Sequence, residues 1–198
     1  MKISAIFLSL CLAVAATAEE KKSCCAVKEA SVEAAGSVYQ LDAKWTNQKG
    51  EEVKLSDYKG RPVLLTMGYA SCQNACPRLA ADLMAIERAL SDDEKKQVLL
   101  VFVSIDPEHD TPEKLAAFLK ARNVDQSRWF GLRGTAESVL ELSVAIGTRY
   151  RKLENNDFAH SNMITLLSPA GEIVYKQEGL GADPTETLAA LRKIISKP

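Results

Sequence analysis

Two stretches of the chain are almost free of polar residues. Val63–Tyr69 carries Val63, Leu64, Leu65 and Met67, and Val98–Ile105 reads VLLVFVSI. Runs of this length and apolarity predict strands buried on both faces, as in the centre of a parallel sheet. Between them, Leu79, Leu83, Ile86 and Leu90 recur at helical spacing and predict a helix over roughly Pro77–Ala89. Thr111 is an N-cap followed by Pro112 at the first helical position, which predicts a helix continuing to Ala121. Glu137–Ile146 predicts a further helix, stopped by Gly147. Met163–Leu167 and Glu172–Tyr175 flank Ser168-Pro169-Ala170-Gly171 and predict a hairpin. Pro184 opens a last helix running to about Ile195. Ahead of the first buried run, Val38–Leu41 and Val53–Leu55 predict two short strands around the turn Asn47-Gln48-Lys49-Gly50. Strands alternating with helices and closed by a hairpin define a three-layer α/β domain, here with an N-terminal β-hairpin extension.

The N-terminal segment follows a different logic. Lys2 precedes an apolar run from Ile3 to Ala16, and Ala16-Thr17-Ala18 forms a small-residue exit before Glu19-Glu20-Lys21-Lys22. The run is shorter than a spanning helix needs, so residues 1–18 read as a signal peptide cleaved after Ala18 rather than a retained anchor. The expected product is soluble in an oxidising exported compartment, most simply a bacterial periplasm. Residues 19–37 read as a flexible leader containing Cys24-Cys25, and residues 38–198 as the folded domain. The vicinal pair Cys24-Cys25 suits a metal-passing arm or an intermolecular disulfide, or is incidental; a bridge between the two would be strained.

Composition narrows the function. The chain has 198 residues, 46% hydrophobic and 26% charged, which is one domain with a real core. Lys+Arg is 25 against Asp+Glu 26, so the basic excess of a nucleic-acid binder is missing. Five Cys are too few for a disulfide-built scaffold and are available for chemistry.

The strongest chemical signal is Cys72-Gln73-Asn74-Ala75-Cys76-Pro77. It leaves the carboxyl end of a buried strand, where α/β sheets place their sites, and enters a helix N-terminus, which stabilises thiolates. Cysteines four apart there can close a disulfide or clamp a soft ion; the spacing allows both. His160 precedes the apolar strand at Met163. That strand is expected beside the one ending at Tyr69, which would bring the His160 loop to face the cysteine loop. Two thiolates and an imidazole suit copper in either oxidation state, although a lone His is more often structural. His109, in Asp106-Pro107-Glu108-His109-Asp110, reads as part of a solvated turn in preference to a metal ligand, with Asp106 and Asp110 as turn and cap residues. Met67, Met84 and Met163 read as core. A peroxidase is disfavoured, since Tyr69 stands where a Thr or Ser would activate peroxide.

The Cys-x-x-x-Cys-Pro motif, the run Ser104-Ile105-Asp106-Pro107-Glu108-His109-Asp110-Thr111-Pro112, His160-Ser161 before a strand, and Pro169-Ala170-Gly171-Glu172-Ile173 together resemble the SCO/SenC family. The resemblance runs from about Val38 to the C-terminus. It implies a thioredoxin-like fold and a role in copper delivery to, and thiol reduction of, the binuclear copper site of cytochrome c oxidase. It implies Cys72, Cys76 and His160 as copper ligands, and Cys72 and Cys76 as a redox pair. The implied partners are a cuproenzyme client, such as a cytochrome c oxidase subunit, and a copper donor or thiol reductant protein; the chain itself is expected to be a monomer. Three departures stand out: Gln73 and Asn74 replace a common Pro-Asp pair, His109 replaces a common Arg, and the expected signal cleavage releases a chain whose relatives are mostly membrane- or lipid-anchored. The competing reading is a metal-free thiol–disulfide oxidoreductase.

Overall fold

The computed structural model describes residues 36–195. The expectations for residues 1–18, for most of the leader and for Cys24-Cys25 lie outside the described residues. Nine strands and five α-helices follow in order: β1 (Lys44–Asn47), β2 (Glu52–Lys54), β3 (Val63–Gly68), α1 (Ala75–Arg88), α2 (Asp92–Gln97), β4 (Leu99–Ser104), α3 (Pro112–Lys120), β5 (Trp129–Arg133), α4 (Ala136–Ile146), β6 (Tyr150–Lys152), β7 (Phe158–His160), β8 (Met163–Leu167), β9 (Ile173–Glu178) and α5 (Thr185–Ile195).

Seven strands form one sheet in the order β2-β1-β5-β4-β3-β8-β9. The two apolar runs lie side by side at its centre. β3 and β4 pair in parallel from Val63↔Leu99 to Gly68↔Ser104, and every residue of both is buried. β8 pairs antiparallel with β3, from Val63↔Leu167 to Thr66↔Ile164, so the start of β8 lies near the end of β3. The N-terminal hairpin β1–β2 extends the far edge through antiparallel pairing of β1 with β5.

Helices cover both faces. The crossovers β3-α1-β4 and β4-α3-β5 step in the same direction, and right-handed connections put α1 and α3 on one face. Phe102 of β4 shows this directly: its ring lies 4.5 Å from Phe118 of α3, and it also flanks Gly68 beside Cys76 of α1. α5 joins α1, with the Gly181 amide donating to Asp82 and Arg192 reaching Glu94 and the Ala89 carbonyl. α4 packs near the Val38–Gln40 turn on the opposite face and ends where Gly147 adopts φ 76°. The layers are those of a thioredoxin-like α/β sandwich.

Several elements differ from expectation. Val38–Gln40 is a 3-10 turn rather than a strand, because the Ser37 hydroxyl accepts from the Tyr39 amide and the Val38 amide donates to Gly171. The first strand is instead Lys44–Asn47. α1 starts at Ala75, two residues before Pro77, which places Cys76 inside its first turn. α2, β5 and the separate two-stranded pair β6–β7 were not anticipated.

Candidate metal and dithiol centre

Cys72 and Cys76 are free thiols at the carboxyl end of β3. Their environments differ sharply. Cys76 is fully buried, and its Sγ accepts from the Tyr69 amide at 3.4 Å. Cys72 is partly exposed just before α1, and its Sγ accepts from the Cys76 amide, also at 3.4 Å. The first turn of α1 thus spends a free amide on sulfur, where a side-chain oxygen would usually cap.

This arrangement splits the two acidities. Burial works against the Cys72 thiolate, but amide donors from Cys76, Asn74 and Ala75 outweigh it and hold the pKa below the ordinary thiol value. Burial pushes the Cys76 thiol far up, and the neighbouring Cys72 sulfur and the Asp110 carboxylate add to the rise. At neutral pH Cys76 therefore carries its proton.

Gly68, the last residue of β3, makes room for this thiol. A Cβ there would stand 2.9 Å from Cys76 Sγ and 3.0 Å from the Phe102 ring. Asp110 supports the same loop from the β4 side. It is fully buried, and its Oδ2 accepts from the Ala70 amide at 2.8 Å and from the Ser104 hydroxyl at 2.6 Å. It is thus a buried strut between the two loops, more than the cap residue the sequence suggests.

His160 reaches the cysteines from β7, not from a loop. In the β6–β7 pair Tyr150 stands opposite His160. Its Nε2 lies 3.4 Å from Cys76 Sγ. Its Nδ1 lies 3.0 Å from the Ser161 carbonyl, which can only accept, so the ring proton sits on Nδ1 and Nε2 is left as a lone-pair donor. Aromatic packing fixes the strand: Tyr69, one residue beyond β3, lies 5.2 Å from Phe158 and edge-on to His160 at 6.1 Å. The positioning roles of Tyr69 and Phe158 were not read from the sequence. The only available signal was the alternation in Phe158-Ala159-His160, too short to stand out.

The structure brings the three sequence-predicted residues together. One ligand atom from each of Cys72, Cys76 and His160 lies within 4.8 Å of the others. Two sulfurs and a free imidazole nitrogen, one thiol already acidified, fit a soft or borderline ion. His109 does not join them; its Nδ1 bonds Asp106.

A thioredoxin-like domain with a Cys-x-x-x-Cys loop facing a histidine on a neighbouring strand defines a class of dithiol–imidazole proteins. Sequence comparison gives the family: the SCO1/SenC model matches residues 30–196, and the chain belongs to that family. It is 32% identical over 141 residues to "Protein SCO2 homolog, mitochondrial" of Bos taurus, covering 68% of this chain and 52% of that protein. It is 26% identical over 145 residues to "SCO1 protein homolog" of Bacillus subtilis, covering 72% and 75%. The match thus spans about half of the bovine relative's length. Among solved structures, a SCO1/SenC family lipoprotein from Bacillus anthracis superposes with a TM-score of 0.71 at 26% identity, covering 77% of this chain and 92% of that one. Bradyrhizobium japonicum ScoI with copper bound gives 0.65 at 25% identity, covering 77% and 96%.

Proposed function

We propose that this chain is an exported copper metallochaperone that holds copper with Cys72, Cys76 and His160 and passes it to a cuproenzyme. The observation that carries this reading is the gathering of two sulfurs from the Cys72–Cys76 loop and one imidazole nitrogen from β7 within 4.8 Å of one another. The copper-bound relative from Bradyrhizobium japonicum supports copper as the cargo. Soft thiolates favour Cu(I), and the imidazole helps to hold Cu(II). The partly exposed Cys72 is the sulfur a client thiol reaches first, so transfer proceeds by stepwise exchange from that side. The client is a copper-site protein such as a cytochrome c oxidase subunit, and a copper donor or thiol reductant loads or resets the pair. Residues 1–18 act as a cleaved signal for the periplasm. Among the described residues no helix is long and apolar enough to cross a membrane.

The thiol asymmetry favours a second activity on the same residues. The Cys72 thiolate attacks a client disulfide, forming a mixed disulfide and releasing one client thiolate. Cys76 then gives up its proton, with His160 Nε2 placed to take it, and attacks Cys72 Sγ. The second client thiol leaves, the client has gained two electrons, and Cys72–Cys76 is oxidised to a disulfide.

Cu(I) loading of the reduced protein tests the choice. One tightly held ion in the parent, weakened in His160→Ala and in Cys72→Ser/Cys76→Ser, is expected. A parent that holds no copper yet reduces a model disulfide rapidly leaves only the oxidoreductase.

A further inference from the structure

The turn that follows β4 is not simply solvated. Asp106 is buried, with its side chain only 6% exposed, while the adjoining His109 side chain is 55% exposed. Amides of His109 and Asp110 both close back onto the Asp106 carbonyl, at 3.2 and 2.9 Å, which folds residues 106 and 109 onto the same side of the turn. His109 Nδ1 then lies 2.8 and 3.0 Å from the two Asp106 carboxylate oxygens. Among the described residues no donor from outside the turn reaches that carboxylate. A Glu108 carboxylate oxygen completes a triad whose ligand atoms all lie within 4.8 Å of one another.

From this juxtaposition we propose a second metal site, formed by Asp106, Glu108 and His109, that takes a divalent first-row cation and takes Cu(II) most tightly. Donors bound about 2.0–2.2 Å from one ion, at right angles, stand roughly 3 Å apart, which is the Asp106–His109 separation already present. Two carboxylates and one imidazole are a hard-to-borderline set, unlike the thiolate pair, so this site discriminates against Cu(I). Among divalent ions the stability order puts Cu(II) first. To coordinate through Nδ1, His109 adopts the tautomer that carries its ring proton on Nε2, and the ion takes the place of the Nδ1–Asp106 hydrogen bond.

The surroundings permit this at a modest cost. Glu108 now pairs with Lys152 of β6 at 3.2 Å, an exposed contact that water replaces cheaply when Glu108 turns to the ion. Arg133 donates to the Pro107 carbonyl and braces the backbone of the turn. Asp110 locks the other end to Ala70, two residues before Cys72. The site therefore stands on the loop beside the cysteine loop, and its ligand set is separate from Cys72, Cys76 and His160. It does not depend on the chaperone reading.

Paramagnetic NMR with Cu(II) as the probe tests it. The protein is the full chain carrying Cys72→Ser, Cys76→Ser, Cys24→Ser and Cys25→Ser, so that neither thiol pair takes or reduces the ion. Substoichiometric Cu(II) is expected to broaden the amides of residues 106–111, and His109→Ala to weaken that binding about tenfold or more. Asp106→Asn should act alike, and His160→Ala should leave the broadening of residues 106–111 in place. Because His109 is exposed, His109→Ala folds and decides the matter even if Asp106→Asn does not. Broadening centred elsewhere, or undiminished in His109→Ala, overturns the proposal and leaves a solvated ion pair.

Discussion

Cys76 Sγ and His160 Nε2 approach to 3.4 Å across 84 residues of sequence. Neither local geometry nor one element produces this contact. Cys76 is fixed by the first turn of α1, and His160 by a short strand pair outside the main sheet that packs through Phe158 on Tyr69. The donor set therefore depends on how firmly the β6–β7 pair is held, and this can be measured.

Phe158→Ala should loosen the β6–β7 pair without unfolding the sheet. Phe158 is half-buried and contacts Tyr69 and Tyr150, whereas β3 and β4 are buried throughout. Hydrogen exchange should show faster amides over residues 150–160 and unchanged protection in β3 and β4.

Gly68→Ala should displace Cys76. The added methyl would meet its Sγ at 2.9 Å and the Phe102 ring at 3.0 Å, inside a packed core with little slack. A loss of about 1–3 kcal/mol in denaturant unfolding is expected, together with greater reactivity of Cys76 toward alkylating agents.

The two thiols should react in order. With the Cys72 pKa held below its ordinary value and the Cys76 pKa pushed far above, iodoacetamide at neutral pH should modify Cys72 first, as read by peptide mass spectrometry. The Cys76 shift also sets an alkaline limit. Above about pH 9, the unfolded chain releases the Cys76 proton while the folded chain keeps it, so stability falls as pH rises. Tyr39, raised to about 12 by burial, acts in the same direction at higher pH. Cys76→Ser should flatten the alkaline decline of the melting temperature between pH 8 and 10, as read by calorimetry.

Asp110 separates charge from shape. Its Oδ2 satisfies Ala70 and Ser104, while its buried Oδ1 has no partner, and burial raises its pKa. Asp110→Ala should cost about 1–3 kcal/mol, because it leaves those buried donors unpaired. Asp110→Asn keeps the accepting oxygen and removes the buried charge, so it should cost less. A raised carboxyl pKa favours the fold at low pH, and that advantage fades as pH rises through its titration. The asparagine variant should lose this component in urea titrations between pH 3 and 6.

Much of the sheet was legible in the sequence because burial on both faces demands continuous apolar runs. Val63–Tyr69, Val98–Ile105 and Met163–Leu167 announce β3, β4 and β8, and their adjacency makes the approach of His160 to the cysteine loop foreseeable. The missed elements lack such runs. β5 is five residues with Gly131 at its centre and Arg133 at its end. β6 holds Arg151 and Lys152 exposed, so no two-residue alternation marks it. α2 has an Asp- and Lys-rich surface with no buried residue, and only the Ser91–Glu94 capping box betrays it. Val38–Leu41 carries strand-forming residues, yet the Ser37 cap closes it into a turn. Asp106 and Asp110 look like turn residues in sequence, and only the fold shows that both are buried.

X-ray absorption on the reduced chain loaded with one equivalent of Cu(I) tests the central claim most directly. To separate the proposed centre from Cys24-Cys25, it is run with Cys24→Ser and Cys25→Ser in place. Two sulfur scatterers and one imidazole nitrogen in the first shell, the nitrogen vanishing in His160→Ala, are the expected result. A first shell of sulfur alone, unchanged by His160→Ala, would contradict it.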